Sequence, residues 1–368
     1  MGSLEAKTNI AKNWLGPFDS TLREGEQFAG PLVINERGKF ELKPHEFTLD
    51  EAQVIVGLLH QIGIQKAEVG NPLAQGMDER IRQLLQMPNR PQLFSHIRNE
   101  TRDANAAFSL KPSGLDGIHI LTTVDQRRLK NMGHTMETYL AQLKNIVLEA
   151  KRLGMETRVG VEHAWNISFD QALPVYLLAQ DLGVDRISIA DTVGIATHWD
   201  VAEKIRELRK SVPSIPIEGH FHNDFLSAVA NSIEALANGA NYIDTTLAAG
   251  AGERTGITPL SVLLARLYKI NPNLVAPYQT QMLTMADNTV AGMMGIALPH
   301  NSITAATAFY HRSGLHINGV MNVGPELYEP LDPSIIGNNR RIVSGTNISG
   351  RTSRAQANHF LHSQLAAK

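Results

Sequence analysis

The 368-residue chain contains no cysteine. Disulfides, thiolate metal sites and cysteine nucleophiles are therefore excluded, and any metal must be held by histidine, carboxylate, amide or water. Such donors suit zinc, manganese, magnesium or cobalt. Charge imbalance is missing as well: 34 basic residues stand against 36 acidic ones, a formal net charge of −2. Nothing in that balance draws the chain to nucleic acid or to a charged membrane surface. No apolar run is long enough to span a bilayer. Residues 1–13 lack the apolar core and cleavage site of a signal peptide. These absences make the cytoplasm the expected compartment.

What is present is a rhythm. Short apolar runs ending in polar groups alternate with helical patterns. The runs are Gly16–Thr21, Lys66–Gly70, Gln92–His96, Gly117–Leu121, Thr157–Glu162, Arg186–Asp191, Ile215–His222 and Asn241–Thr246. The helical stretches between them carry caps: Thr48, Thr135 and Ser168 at N-termini, Gly63, Gly154 and Gly183 at C-termini. Eight strand-helix units imply parallel strands closed into an α/β (β/α)8 TIM barrel. A doubly wound open sheet is the alternative, weakened because no Gly-x-Gly-x-x-Gly turn follows the first strand.

In this reading residues 1–275 form the barrel, preceded by a loose arm to Trp14. Phe28–Phe47 is a long loop with a small hairpin. Residues 276–368 form a mainly helical C-terminal subdomain, with helices at Thr284–Ile296, Ser302–Tyr310 and Arg351–Ala366. That subdomain is too small for a strong core of its own. It is expected to pack on the barrel or on a partner chain and to complete the site.

Active sites of such barrels lie at the C-terminal ends of the strands. The ends here are dense in charge: Asp19, Arg23, Glu24, Glu68, His96, Glu162, Asp191, His220, His222, Asp224 and Asp244. His220 and His222 share one face of their strand. A bare His-x-His is more often two ordinary polar residues. Here the acidic cluster near the N-terminus supplies a further ligand, and a divalent metal becomes the favoured reading.

Six stretches occur in order: Asp19-Ser20-Thr21-Leu22-Arg23-Glu24-Gly25-Glu26-Gln27, Ser95-His96-Ile97-Arg98, Ala190-Asp191-Thr192-Val193-Gly194, His220-Phe221-His222-Asn223-Asp224, Gly252 to Leu260, and Ser313-Gly314-Leu315-His316. Together they resemble the homocitrate synthase and 2-isopropylmalate synthase family of metal-dependent acyltransferases, nearest to the homocitrate synthases. The resemblance implies a Claisen condensation of acetyl-CoA with a 2-oxo acid, then thioester hydrolysis, in amino-acid biosynthesis. It implies a divalent metal on Glu24, His220 and His222, with Arg23 stabilising the oxyanion or enolate. It also implies His316 as the base on the acetyl methyl, helped by Tyr328, which stands one residue beyond the family spacing. Gln27, His96, Arg158 and Thr192 fall to substrate binding, and the family's exchanged C-terminal regions imply a homodimer.

Three departures bear on the acceptor. Gly160 stands where the family carries a serine, the 28–47 loop is longer than the family's, and the segment Ala248-Ala249-Gly250-Ala251 carries one extra residue. Gly160 is expected to add room. Arg158 is expected to meet the acceptor's far carboxylate in a forked contact, since an apolar tail would leave that charge buried and unpaired. The expected acceptor is thus dianionic: 2-oxoglutarate first, then oxaloacetate or phosphonopyruvate. Preference for 2-oxoisovalerate would instead mark the isopropylmalate branch. A C–C lyase on the same scaffold is the rival activity, and related lyases use a cysteine that this chain lacks. A barrel kept only for metal binding or regulation would not need Arg23, Glu24 and His316, and all three are present.

Overall fold

The computed structural model describes residues 4–343. Eight parallel strands close into a barrel. They are β1 (Gly16–Asp19), β2 (Lys66–Glu68), β3 (Gln92–Arg98), β4 (Gly117–Thr122), β5 (Glu156–Val161), β6 (Arg186–Asp191), β7 (Ile217–Phe221) and β8 (Tyr242–Thr245). β8 pairs back onto β1, with Asp19 beside Thr245. Outer helices follow the strands, and their starts obey local chemistry. Thr48 with Glu51, Thr135 with Thr138, and Ser168 with Gln171 form reciprocal capping boxes. Gly63 ends its helix in the left-handed region, at φ 98°.

Four expectations fail, each for a local reason. The supposed N-terminal arm is helix α1 (Leu4–Asn13). Only Ile10 of it is buried, so it shows no apolar stripe to read. Side chains hold its end instead: Asn13 donates to the Leu236 carbonyl and Trp14 to that of Leu274. The sequence pattern predicts a helix over Phe225–Asn238, but it begins only at Ala228, because Leu226 adopts φ 59°. Ser302–Tyr310 is turns, not helix: the Ser302 hydroxyl accepts from the Thr304 amide, a side-chain bond that competes with helix. The Gly314 stretch begins a helix, Gly314–Asn322, where only a motif was read. The expected helix at Arg351–Ala366 lies outside the described residues.

The hairpin in the long loop is present, Leu32–Ile34 against Phe40–Leu42. Its large apolar residues Leu32, Ile34, Phe40 and Leu42 are all exposed.

The barrel interior is filled by charge as well as hydrocarbon. Arg158 and Arg186 are the largest fully buried side chains. Their guanidiniums stack on the Phe18 ring at 4.6 and 4.7 Å. Glu218 on β7 lies between them and ion-pairs with both. Asp244 on β8 reaches Arg158 at 3.0 Å. Inside a barrel each of these groups depends on the others, because removing one partner leaves a bare buried charge. Glu218→Ala is therefore expected to lower unfolding free energy by about 3–5 kcal/mol, read from the midpoint of urea denaturation. A loss under about 1 kcal/mol, the size of an average substitution, would mean the layer is not a stabilising unit.

A candidate metal-dependent active site at the barrel mouth

The site begins at the end of β1. The Asp19 carboxylate accepts from the Thr21 amide and hydroxyl, at 2.9 and 3.1 Å, and folds the chain into the helical turn Thr21–Glu24. The Thr21 hydroxyl in turn accepts from the Leu247 amide, which ties the first loop to the eighth. That turn aims Arg23 and Glu24 across the mouth. Arg23 Nε donates to Glu68 Oε2 at 2.6 Å and Arg23 Nη1 to Glu24 Oε2 at 2.8 Å. This is no surface ion pair, since Glu24 and Glu68 are buried.

The two histidines arrive from β7. His220 is the next-to-last residue of the strand, and its Nδ1 meets Asp244 Oδ2 at 2.8 Å. A carboxylate on one ring nitrogen orients the ring and leaves Nε2 free. His222 lies one residue past the strand, yet an isolated bridge to Ile257 keeps the backbone extended there. Its ring therefore still falls on the His220 face, with the ring centroids 5.1 Å apart. His222 Nε2 is 3.6 Å from Glu24 Oε1. Burial, with His220 next, holds the His222 ring down to about 3, so it is neutral at working pH, as a metal ligand must be.

Glu24, His220 and His222 can each offer one ligand atom, and these atoms all lie within 4.8 Å of one another. All three are buried, the ring orientation is set by Asp244, and the donor set of two imidazoles and one carboxylate fits a divalent ion. Asp224, which follows the histidines in sequence, is not part of the cluster. It pairs with Arg254 at 2.9 Å, while Arg254 also donates to the Thr192 carbonyl. Arg254 thus ties the eighth loop to its neighbours.

A cavity of about 190 Å³ opens beside these groups. Arg23, Glu24, Gln27, His96, Arg158, Thr192, His220 and His222 all line it. His316 and Tyr328 do not. They stack on each other with centroids 4.2 Å apart, in a C-terminal unit where Glu329 binds His311 at 2.9 Å and Arg340 in a fork. Ile317 and Ile342 form a small core there, separate from that of the barrel. A recess joins Glu329 and Arg340 to Tyr268 and Lys269, at the C-terminal end of the helix Leu260–Ile270. That is the end of the barrel away from the mouth.

Two expectations about the acceptor side are corrected. Arg158 is not a free fork. Its charge is met by Glu218, Asp244 and, at 3.5 Å, Glu68, so an apolar tail nearby would not strand it. Gly160 adds no room either. A Cβ there would lie 2.6 Å from His119 Nε2, so an imidazole already fills the space. Sequence reasoning passed over His119 and Glu218. Alternation could have found both: Glu218 shares the face of His220 and His222, and His119 pairs in register with His96 and Arg158.

Strain gathers at the same place. Among the described residues, the non-glycine residues with positive φ are His163, Leu226, Ala248, Ala249 and Arg254, all in loops that follow strand ends at the mouth.

Comparison with known proteins places these features in a family. The HMGL-like family profile matches residues 15–290, and a profile described as homocitrate synthase post-HMGL domain-like matches 303–367. The mitochondrial homocitrate synthase of Schizosaccharomyces pombe is 33% identical over 340 residues, covering 90% of this chain and 76% of that protein. The cytosolic isozyme of Saccharomyces cerevisiae is 34% identical over 338 residues, covering 90% of this chain and 74% of that protein. Among solved structures, the HMG-CoA lyase of Bacillus subtilis superimposes with a TM-score of 0.66 at 16% identity, covering 78% of this chain and 96% of that one. At that identity the likeness speaks for the fold alone. No helix among the described residues is long and apolar enough to cross a membrane.

Proposed function

The chain belongs to the HMGL-like family, in its homocitrate synthase branch, and from that premise we propose the reaction it carries out. It condenses acetyl-CoA with a dianionic 2-oxo acid, 2-oxoglutarate first, and releases CoA by hydrolysing the thioester. The observation that carries this reading is the convergence of Arg23, Gln27, His96, Arg158 and Thr192 on the cavity that also holds the Glu24–His220–His222 cluster.

In this reading Glu24, His220 and His222 hold the ion, and zinc, manganese, magnesium or cobalt would each suit that donor set. The ion supplies Lewis acidity at the acceptor's 2-oxo group. The chain's own groups do the rest. Arg23, fixed by Glu24 and Glu68, faces the oxygen on which negative charge develops. His96 and Thr192 hold the acceptor along one wall. Arg158 closes the floor of the cavity. Gln27 stands exposed at the rim, where the acetyl group enters.

His316 takes a proton from the acetyl methyl. The carbanion bonds to the acceptor's carbonyl carbon, and the former carbonyl oxygen gains a proton. Water then attacks the thioester, and CoA leaves as its thiol. Tyr328, stacked on His316, assists the proton transfer. His316 lies away from the cavity of its own chain and so comes from a second one. The functional unit is a homodimer in which residues after 275 of each copy complete the partner's site.

The first test is release of CoA thiol from acetyl-CoA with a panel of 2-oxo acids. The expected order is 2-oxoglutarate, then oxaloacetate and phosphonopyruvate, with 2-oxoisovalerate last. Fastest turnover of 2-oxoisovalerate would move the chain to the isopropylmalate branch. The second test is complementation between two inactive variants. His220→Ala and His316→Ala homodimers should each lose activity, while equal co-expression should restore about a quarter of the sites, as random pairing of subunits in a two-fold dimer requires. No recovery on co-expression would place His316 in the site of its own chain.

A further inference from the structure

The hairpin of Leu32–Ile34 against Phe40–Leu42 rises from the rim just past Gln27. Its stem is pinched. The Lys43 amide donates to the Pro31 carbonyl at 3.1 Å, and Gly30, at φ 96°, lies so close to the Lys43 carbonyl that no Cβ fits. Arg80 fixes the base, forking onto Glu26 and donating to the Phe47 carbonyl at 2.9 Å. At the tip, the Asn35 side chain accepts from the amides of Arg37 and Lys39, both at 3.0 Å. The arm is a held projection rather than a slack loop.

Its two faces differ. Leu32 pairs with Leu42 and Ile34 with Phe40, so alternation puts these four side chains on one face. They are 53 to 74% exposed. Val33 and Glu41 lie on the other face. A lone two-stranded hairpin is marginal in water and needs a further strand or a helix against its apolar face. Among the described residues, nothing covers this one.

A helix with the matching need lies in the C-terminal unit. Leu315 opens the helix Gly314–Asn322 and Val323 follows it; both are exposed, and so is Leu327. Gly319 stands one turn from Leu315 and from Val323 on the same helix face. Leu327 lies against that glycine, where a Cβ would be 3.1 Å from Leu327 Cδ2. The three side chains form an apolar strip beside His316. Within one chain the hairpin and the strip do not cover each other, since both stay exposed. Between two copies they can. In the homodimer proposed above, His316 of one copy passes the rim of the other copy's barrel. The hairpin stands on that rim, next to Gln27 of the cavity wall. In a two-fold dimer the contact forms twice and the assembly closes. Apolar patches of this kind mark interfaces.

We propose that the hairpin is an inter-subunit arm: its face of Leu32, Ile34, Phe40 and Leu42 packs on the strip of Leu315, Val323 and Leu327 in a second copy of this chain, and so guides that copy's His316 into the cavity. The inference rests on the homodimer reading above and adds the surface that holds it.

The chain lacks cysteine, so introduced cysteines are the only thiols. Phe40→Cys is combined with Leu315→Cys in one variant and with Leu327→Cys in another, and each is treated with a short bismaleimide. The expected product is two chains joined covalently in the paired variants and in none of the single ones. Linkage in Phe40→Cys alone would set two hairpins face to face. A link within one chain would make the arm a lid on its own barrel. Either result overturns the proposal. Sedimentation over a dilution series gives a second readout. Phe40 is exposed in the single chain, so replacing it leaves the barrel intact. Phe40→Asp should raise the dimer dissociation constant at least about thirtyfold, as loss of an anchor residue does, while Glu41→Ala on the opposite face should change it less than about twofold. No cross-link in a chain that sediments as a dimer, or an unchanged constant in Phe40→Asp, would overturn this inference and leave the acyltransferase reading standing. A monomer with full turnover would overturn the homodimer reading, and this inference with it.

Discussion

Two guanidiniums, those of Arg158 and Arg186, are sealed into the barrel and a third, that of Arg23, is half-buried at its mouth, and they can stay there only because carboxylates face them. Glu68, Glu218 and Asp244 have no exposed surface at all. Burial alone would push the Asp244 carboxyl up. Arg158, His220 and Arg23 together hold it well below the usual carboxylate range. Asp244 therefore remains an anion, and an anion there is what fixes the His220 ring. The site is in this sense the upper surface of the charge layer that fills the barrel. Arg23 is held by Glu68 and Glu24, His220 by Asp244, and His96 and His119 by Glu68.

The loops add their share of constraint. The first turn is bound to the eighth loop through Thr21 and Leu247, and His222 is held straight by Ile257. The eighth loop closes down on Glu24: a Cβ on Gly252 would meet Glu24 Cγ at 3.3 Å, and Gly256, at φ 75°, has no room for one at all. Backbone held in uncommon conformations at Ala248, Ala249 and Arg254 is consistent with a rim built for position rather than for ease of folding.

Much of this was legible in the sequence because barrel strands are short, buried on both faces and regularly spaced. Each of the eight runs appears as a strand within two residues at either end. The residues around the cavity were visible as strand-end polar groups, and the motif order tied them to one family. What was not legible was burial and pairing. Arg158 reads in sequence as a free cation on the fifth strand, and only the packing reveals three carboxylates around it. Gly160 reads as space until the ring of His119, 41 positions earlier in the chain, is seen to fill it. The C-terminal part was read least well. Its turns are set by side-chain bonds, such as that from the Thr304 amide to the Ser302 hydroxyl, and by Asp287, which accepts from both Ser261 and Thr304. Such bonds leave no periodic trace.

The central claim is that Glu24, His220 and His222 bind a divalent ion and that the 2-oxo acid head binds beside it, on the arginine-carboxylate frame. Calorimetric titration of 2-oxoglutarate into the full-length protein, with acetyl-CoA absent, tests this most directly. The account predicts saturable binding at one site per chain in protein loaded with zinc, manganese, magnesium or cobalt. It predicts no measurable binding after chelation or in a His222→Ala variant that retains the fold. Equal affinity in metal-loaded and metal-stripped protein would contradict it.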